Sequence, residues 1–480
     1  MKNLLAIIFS GIIGFACAQT KPAKLVTTTE NKAWTESEVK ISGQAENVDV
    51  ILDLSKTQQT IRGFGTCFNE LGWTSLNMLK ADDREAVMKE FFAPEVGANF
   101  TICRMPVGAN DFSLDWYSYN ENDGDFEMTK FSIDHDKNTL IPFIKNAKKH
   151  NPSLELWASP WCPPSWMKYN KHYASRSSIK MRSMMKMKID AKYSNDLAAN
   201  KEGKEGTDMF IQDEKYLKAY ALYFSKFIDS YKNEGIKIAS IMPQNEFNSA
   251  QIFPSCCWTA KGLANFIGSY LGPAMEKQGV EILFGTMERP KEALVDTILT
   301  DPKSSKYIKG VGFQWAGKDA LPGINKRYSN LKFYQSEQEC GDGKNDWKGV
   351  LHSWDLMKHY LNNGVSVYEY WNTSLLKGGI SRWGWAQNSL VVVDPDAKTY
   401  TYSNEYYLLK HLSHFVKPGA KKLENDGTYH DLVAFVNPDK SVVVMIFNQD
   451  QTDRSVNIKV NGKVYSPKLA ANSINTLVIN

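Results

Sequence analysis

The sequence predicts an α/β fold, a closed (β/α)8 TIM barrel with an all-β sandwich side domain formed by both chain ends. Three observations lead there. Eight apolar runs alternate with helical stretches through the middle of the 480-residue chain. Short runs of period two, separated by turn residues, occupy both ends. The residues that follow the eight apolar runs are mainly acids, an arginine and tryptophans, and a barrel of this kind keeps its chemistry at the C-terminal ends of its strands.

Residues 1–18 read as an export signal, with Lys2 as the charge, 4–15 as the apolar segment and Ala16-Cys17-Ala18 as the cleavage site before Gln19. The apolar segment is too short to span a bilayer. The expected location is therefore outside the cytoplasm: periplasmic, cell-surface or secreted, with lipid anchoring at Cys17 as the lesser reading. Residues 19–60 then alternate polar and apolar, as in Val48-Asp49-Val50-Ile51, and open the sandwich. Residues 416–480 complete it, with Asn437-Pro438-Asp439, Asn448-Gln449-Asp450 and Asn461-Gly462 as turns.

The barrel is expected over 61–415, with strands at 63–68, 100–106, 154–159, 238–243, 282–286, 311–314, 331–336 and 365–370. Helical periodicity covers 82–92, 140–149, 216–231, 260–275 and 354–361. The connection 167–213 has no clear period and reads as a loop bordering the mouth. Its basic run 180–188 reads as a solvated face.

A formal charge of +4 gives a balanced surface, with no basic stripe for nucleic acid. Of seven cysteines, the six beyond the leader show no metal-ligand spacing and read as small buried hydrophobes. Thirteen Trp, 22 Tyr and 23 Phe are a heavy aromatic load, suited to stacking against sugar rings. No G-x-S-x-G follows a strand and no phosphate-binding glycine loop is present, which argues against serine hydrolases and nucleotide enzymes.

The stretch IASIMPQNEFN (238–248) is an apolar run that stops at Asn245-Glu246, and LKFYQSE (331–337) stops at Glu337. A carboxyl group where a buried strand surfaces resists ionisation, as a proton donor must. The two acids are 337 − 246 = 91 residues apart, about three strand-plus-helix units. Two carboxyls on different strand ends are the minimum equipment for splitting a glycosidic bond. Arg104 could hold one of them ionised, and Glu288, Glu339 and Glu369 are weaker competitors.

The chain resembles glycoside hydrolase family 30, the group that includes glucosylceramidase. The resemblance rests on IRGFG (61–65), RMPVGANDFS (104–113), ASPWCPPSWMK (158–168), QNE (244–246), SEQEC (336–340) and YWN (370–372). It implies a barrel fused to a sandwich and a retaining mechanism without metal or cofactor. Glu337 would be nucleophile and Glu246 acid/base, with the carboxyls roughly 5–5.5 Å apart. It further implies substrate contacts at Glu70, Arg104, Trp161, Asn245, Trp315, Trp371 and Asn388.

Three departures bear on specificity. Glu70 stands where the relatives have an Asp after the first strand, Gln314-Trp315-Ala316 lacks a His and a Tyr that flank the Trp, and Phe247 replaces a Pro. The expected partner is a carbohydrate, a β-glucoside or close relative. An endo-β-1,6-glucanase and a catalytically silent sugar-binding protein are the alternatives. No amphipathic helix supports a ceramide leaving group.

Overall fold

The computed structural model describes residues 22–42, 47–179, 181 and 189–480. The expected leader, with Cys17, lies outside the described residues, as does the basic run 180–188 except Met181.

All eight expected barrel strands form: β1 (Gly63–Thr66), β2 (Ile102–Pro106), β3 (Glu155–Ser159), β4 (Ser240–Ile241), β5 (Glu281–Met287), β6 (Ile308–Gln314), β7 (Lys332–Glu337) and β8 (Val365–Tyr370). They lie in one sheet in the order β1-β8-β7-β6-β5-β4-β3-β2. A parallel bridge between Cys67 and Arg104 joins its two ends and closes the barrel. Gly65 makes that closure possible, because a Cβ there would sit 1.6 Å from the Ile102 carbonyl oxygen. β4 is shorter than its apolar run, since Pro243 has no N–H to extend the ladder. Strands covered on both faces read as continuous apolar runs, and the barrel interior is filled by Ile102, Trp157, Met242, Leu283, Tyr334 and Val367.

The outer helices include Ala81–Phe92, Leu140–His150, Glu214–Asn233 and Trp347–Asn362. The expected helix over 260–275 is broken into Ala260–Phe266, a π-helical turn Ile267–Leu271, and Gly272–Gln278. Pro273 lies just past the break, and a proline has no N–H to give to the preceding turn.

Both chain ends enter one ten-stranded sheet. Ala23–Thr29 pairs antiparallel with Ser473–Ile479, and Val50–Thr60 with Lys421–Gly427. Leu25, Val50, Leu52, Val444, Ile446 and Leu477 are among the residues of its own apolar core. Two indoles of helix Trp347–Asn362 tie this sheet to the barrel: Trp354 Nε1 donates to Asp431 (2.7 Å) and Trp347 Nε1 to Asn472 (2.9 Å). The six cysteines among the described residues are free and buried.

Leu477 is fully buried on the strand paired with both Ala23–Thr29 and Val442–Asn448. Leu477→Ala is expected to cost about 2–5 kcal/mol, read as a lower midpoint in denaturant unfolding. An unchanged midpoint would mean that this core does not hold the two chain ends together.

Candidate active site

The strand ends converge on a cavity of about 240 Å³ lined by Asp111, Glu246, Gln251, Phe253, Glu288, Trp315, Glu337, Trp385 and Gln387. Arg104 in β2 organises its floor. The fully buried guanidinium donates from Nη1 to Glu337 Oε2 (2.8 Å) and to the Ser336 carbonyl (2.8 Å). From Nη2 it donates to Asn245 Oδ1 (2.7 Å) and Ser159 Oγ (2.8 Å). Its face lies 4.3 Å from the Trp161 ring centroid and 5.4 Å from that of Trp371. Those two indoles stack on each other at 5.1 Å. Expected contacts Arg104, Asn245, Trp161 and Trp371 therefore form one buried unit behind the carboxylates.

Glu337 ends β7 with both oxygens engaged, Oε2 by Arg104 and Oε1 by Trp315 Nε1 at 3.2 Å. The indole thus supplies a hydrogen bond at the carboxylate where the sequence lacks a neighbouring Tyr. Glu246 follows β4 at φ +46° and Trp315 follows β6 at φ +48°, a left-handed conformation uncommon outside glycine and concentrated at functional sites. The Glu246 backbone N–H is held by Thr286 Oγ1 (2.8 Å). Its carboxyl accepts only long amide bonds, from Gln251 (3.2 Å) and Gln314 (3.3 Å).

These surroundings separate the two acids. Burial raises both. For Glu337 the Arg104 charge, then the Trp315, Arg104 and Gln314 hydrogen bonds, oppose the rise. For Glu246 the charges of Glu288, Glu337 and Asp111 add to burial, Gln251 opposes them, and the carboxyl is pushed well above the usual range. Divergent environments for two carboxyls assign one to hold a proton and the other to release it.

Two expected contacts are not brought to the cavity. Glu70 is fully buried at the start of a helix, where it accepts from Leu114 N (2.9 Å), His135 Nε2 (2.8 Å) and Thr139 Oγ1 (3.0 Å). Its carboxylate pins the segment 114–139 instead of facing the cavity. Asn388 binds Gly343 N (2.9 Å) and Asn345 N (3.0 Å) through Oδ1, and Glu405 (2.8 Å) through Nδ2. Its amide is engaged in holding a loop, and the neighbouring Gln387 lines the cavity in its place.

The acid missed from the sequence is Asp111, 5% exposed, with Oδ1 making no well-formed hydrogen bond within the protein. Burial and the nearby Glu337 charge lift its carboxyl well above the usual range. Its signal was present, since it lies seven residues after Arg104 inside RMPVGANDFS. Among the weaker acids, Glu339 pairs with Lys318 (2.8 Å) and His352 (3.0 Å). Glu369 points into the barrel core, where Trp157 Nε1 donates to it at 2.8 Å. Glu288 alone of the three lines the cavity. No group of three or more His, Cys, Asp or Glu among the described residues could hold a metal ion.

Residues 61–193 and 195–416 match the glycosyl hydrolase family 30 TIM-barrel domain, and 420–477 the family 30 β-sandwich domain. The chain is 25% identical over 430 residues to the lysosomal acid glucosylceramidase of Mus musculus, covering 84% of this chain and 77% of that protein. It is 26% identical over 447 residues to an endo-1,6-β-D-glucanase of Aspergillus fumigatus, covering 88% and 85%. The crystal structure of SrfJ from Salmonella typhimurium superposes with a TM-score of 0.82 at 22% identity, covering 95% of this chain and 99% of that one.

Replacing Arg104 with Gln removes the charge that opposes burial at Glu337. The Glu337 carboxyl is expected to titrate higher than in the unaltered protein, measured by NMR of carboxyl-labelled glutamate. An unmoved titration would show that Arg104 does not hold the carboxylate ionised.

Proposed function

The chain belongs to glycosyl hydrolase family 30, and we propose that this retaining glycoside hydrolase cleaves β-linked glucosides or closely related sugars, with Glu337 as nucleophile and Glu246 as acid/base. The observation that carries the assignment is the asymmetry of two buried carboxyls in one cavity. Glu337 has a guanidinium partner, whereas Glu246 has only amide donors and three acids as neighbours.

In the first step a Glu337 carboxylate oxygen bonds to the anomeric carbon as the bond to the leaving oxygen breaks, and Glu246 gives that oxygen its proton. In the second step Glu246, now ionised, takes a proton from water. The water oxygen displaces Glu337 from the anomeric carbon and restores both carboxyls to their starting states. Two displacements at one carbon return the β configuration.

The buried wall also suits a sugar. Asp111 Oδ1 and Trp371 Nε1 make no well-formed hydrogen bond within the protein, although the indole lies close enough to oppose the rise of the Asp111 carboxyl, and buried polar groups of this kind are normally satisfied by ligand or water. A cavity of about 240 Å³ is small beside the roughly 300–1,000 Å³ of pockets for drug-sized ligands, which fits a single sugar ring. The mouse relative is named for a glycolipid and the Aspergillus relative for a polysaccharide. Both names specify a glucosyl group.

Glu246→Gln is expected to lower kcat/KM by about 10²–10⁴ on an alkyl β-glucoside and far less on a dinitrophenyl β-glucoside, whose leaving group needs no proton in the first step. Glu337→Gln is expected to abolish turnover of both. Equal losses on the two substrates in Glu246→Gln would contradict the acid/base assignment.

A further inference from the structure

We propose that the ion pair between Lys318 and Glu339, outside the cavity, is a positioning device for the proposed nucleophile: it holds the Trp315 backbone so that the indole N–H stays on Glu337. The inference rests on the glycosidase reading above and adds to it two residues that do not line the cavity.

Trp315 is the first residue beyond β6, at φ +48°. A residue with a side chain keeps such a backbone only where its surroundings hold it there. Three contacts do so. Lys318 Nζ donates to the Trp315 carbonyl at 3.1 Å and to Glu339 Oε1 at 2.8 Å. The turn Trp315–Ala320 lies so close to β5 that a Cβ on Gly317 would meet the Met287 carbonyl oxygen at 2.0 Å. His359 Nε2, from helix Trp347–Asn362, donates to the Lys318 carbonyl at 3.0 Å. Of the three, the ammonium reaches Trp315 itself.

The counter-ion keeps a flexible lysine in place. The Lys318 and Glu339 side chains are 25% and 14% exposed, a setting in which charges are screened less than on the open surface. The second Glu339 oxygen accepts from His352 Nε2 at 3.0 Å, from the same helix as His359. Burial alone would raise the Glu339 carboxyl, but the His352 and Lys318 hydrogen bonds hold it below its ordinary value, so the pair stays charged. Without Glu339 the ammonium would have a single neutral carbonyl to set against water.

One strand end supplies both halves of the device. The register of β7 on β6 shifts after the Phe313–Gln335 pair, so that Gln314 lies opposite Glu337 and Trp315 comes next. Glu337 accepts the indole N–H at 3.2 Å, and Glu339, two residues on, accepts the lysine. Burial raises the Glu337 carboxyl, and the indole hydrogen bond, after the Arg104 charge, opposes that rise. A Trp315 released from Lys318 would leave Glu337 Oε1 without this donor and the carboxyl less readily ionised.

The test uses the full-length protein and three readouts: the Trp315 indole N–H resonance, assigned by its loss in Trp315→Phe, the Glu337 titration by NMR of carboxyl-labelled glutamate, and kcat/KM on dinitrophenyl β-glucoside. Lys318→Met and Glu339→Leu are each expected to move the indole resonance, raise the Glu337 titration and lower kcat/KM about tenfold. Loss of the Glu339 charge acting directly would lower the Glu337 titration, so an upward movement in Glu339→Leu identifies the route through Trp315. Added to Trp315→Phe, Lys318→Met is expected to change kcat/KM by less than about twofold. Lys318→Met, at the more exposed end of the pair, is the variant less able to disturb folding. A Glu337 titration that falls or stays in Glu339→Leu, or losses from Lys318→Met and Trp315→Phe that multiply, would overturn the proposal. No hydrolysis of dinitrophenyl β-glucoside by the unaltered protein would instead overturn the glycosidase reading, and the indole resonance and the Glu337 titration would still decide the positioning claim.

Discussion

A guanidinium buried at the mouth of the barrel is the constraint on which the rest of the site depends. Arg104 cannot give up its charge, so in this desolvated position it requires an ionised partner, and Glu337 supplies it at 2.8 Å. The remaining donors of Arg104 reach Ser159, Asn245 and the Ser336 carbonyl, which ties the ends of β2, β3, β4 and β7 to one another. Trp161 and Trp371 cover its face and keep water out. Removing one partner of such a buried pair generally costs about 3–5 kcal/mol. The ion pair thus fixes the architecture of the barrel mouth and the charge state of one acid together.

The same arrangement favours the protonated form of the other acid. Glu246 lies across the cavity without a cation, and the acids around it, Glu288 among them, disfavour a further negative charge. Proton transfer then needs no special chemistry at Glu246, only a desolvated position and acidic neighbours. The left-handed backbone at Glu246 and Trp315 is the local cost of aiming these side chains. The closed parallel sheet behind them and the sandwich clamped to helix Trp347–Asn362 offset it.

Elements defined by periodicity were legible in the sequence. All eight barrel strands, and the β-rich character of both ends, follow from runs whose burial pattern repeats every residue or every second residue. So were the two strand-end acids, because an apolar run that stops at a carboxyl has few structural uses. What could not be read was which polar atoms face the cavity. Glu70 follows a strand just as Glu246 does, yet His135 and Thr139, 65 and 69 residues away, engage its carboxylate. Asn388 and Gln387 are adjacent in a loop without period, and only the folded chain commits Asn388 to Glu405 while Gln387 lines the cavity. Asp111 lay within a recognised motif, but seven residues past the strand-end arginine it had no periodic signal of its own. The break at Ile267–Leu271 passed unseen because Pro273 interrupts the hydrogen bonds without disturbing the apolar pattern.

The proposed mechanism requires that the arginine-paired carboxylate be the nucleophile. The most direct measurement is to trap the protein with a 2-deoxy-2-fluoro β-glucosyl fluoride, digest it, and locate the added sugar by mass spectrometry. A single fluoroglucosyl group is expected on the peptide carrying Glu337, with loss of activity in step with labelling. Label on Glu246 or Asp111, or continued turnover with no covalent adduct, would contradict it.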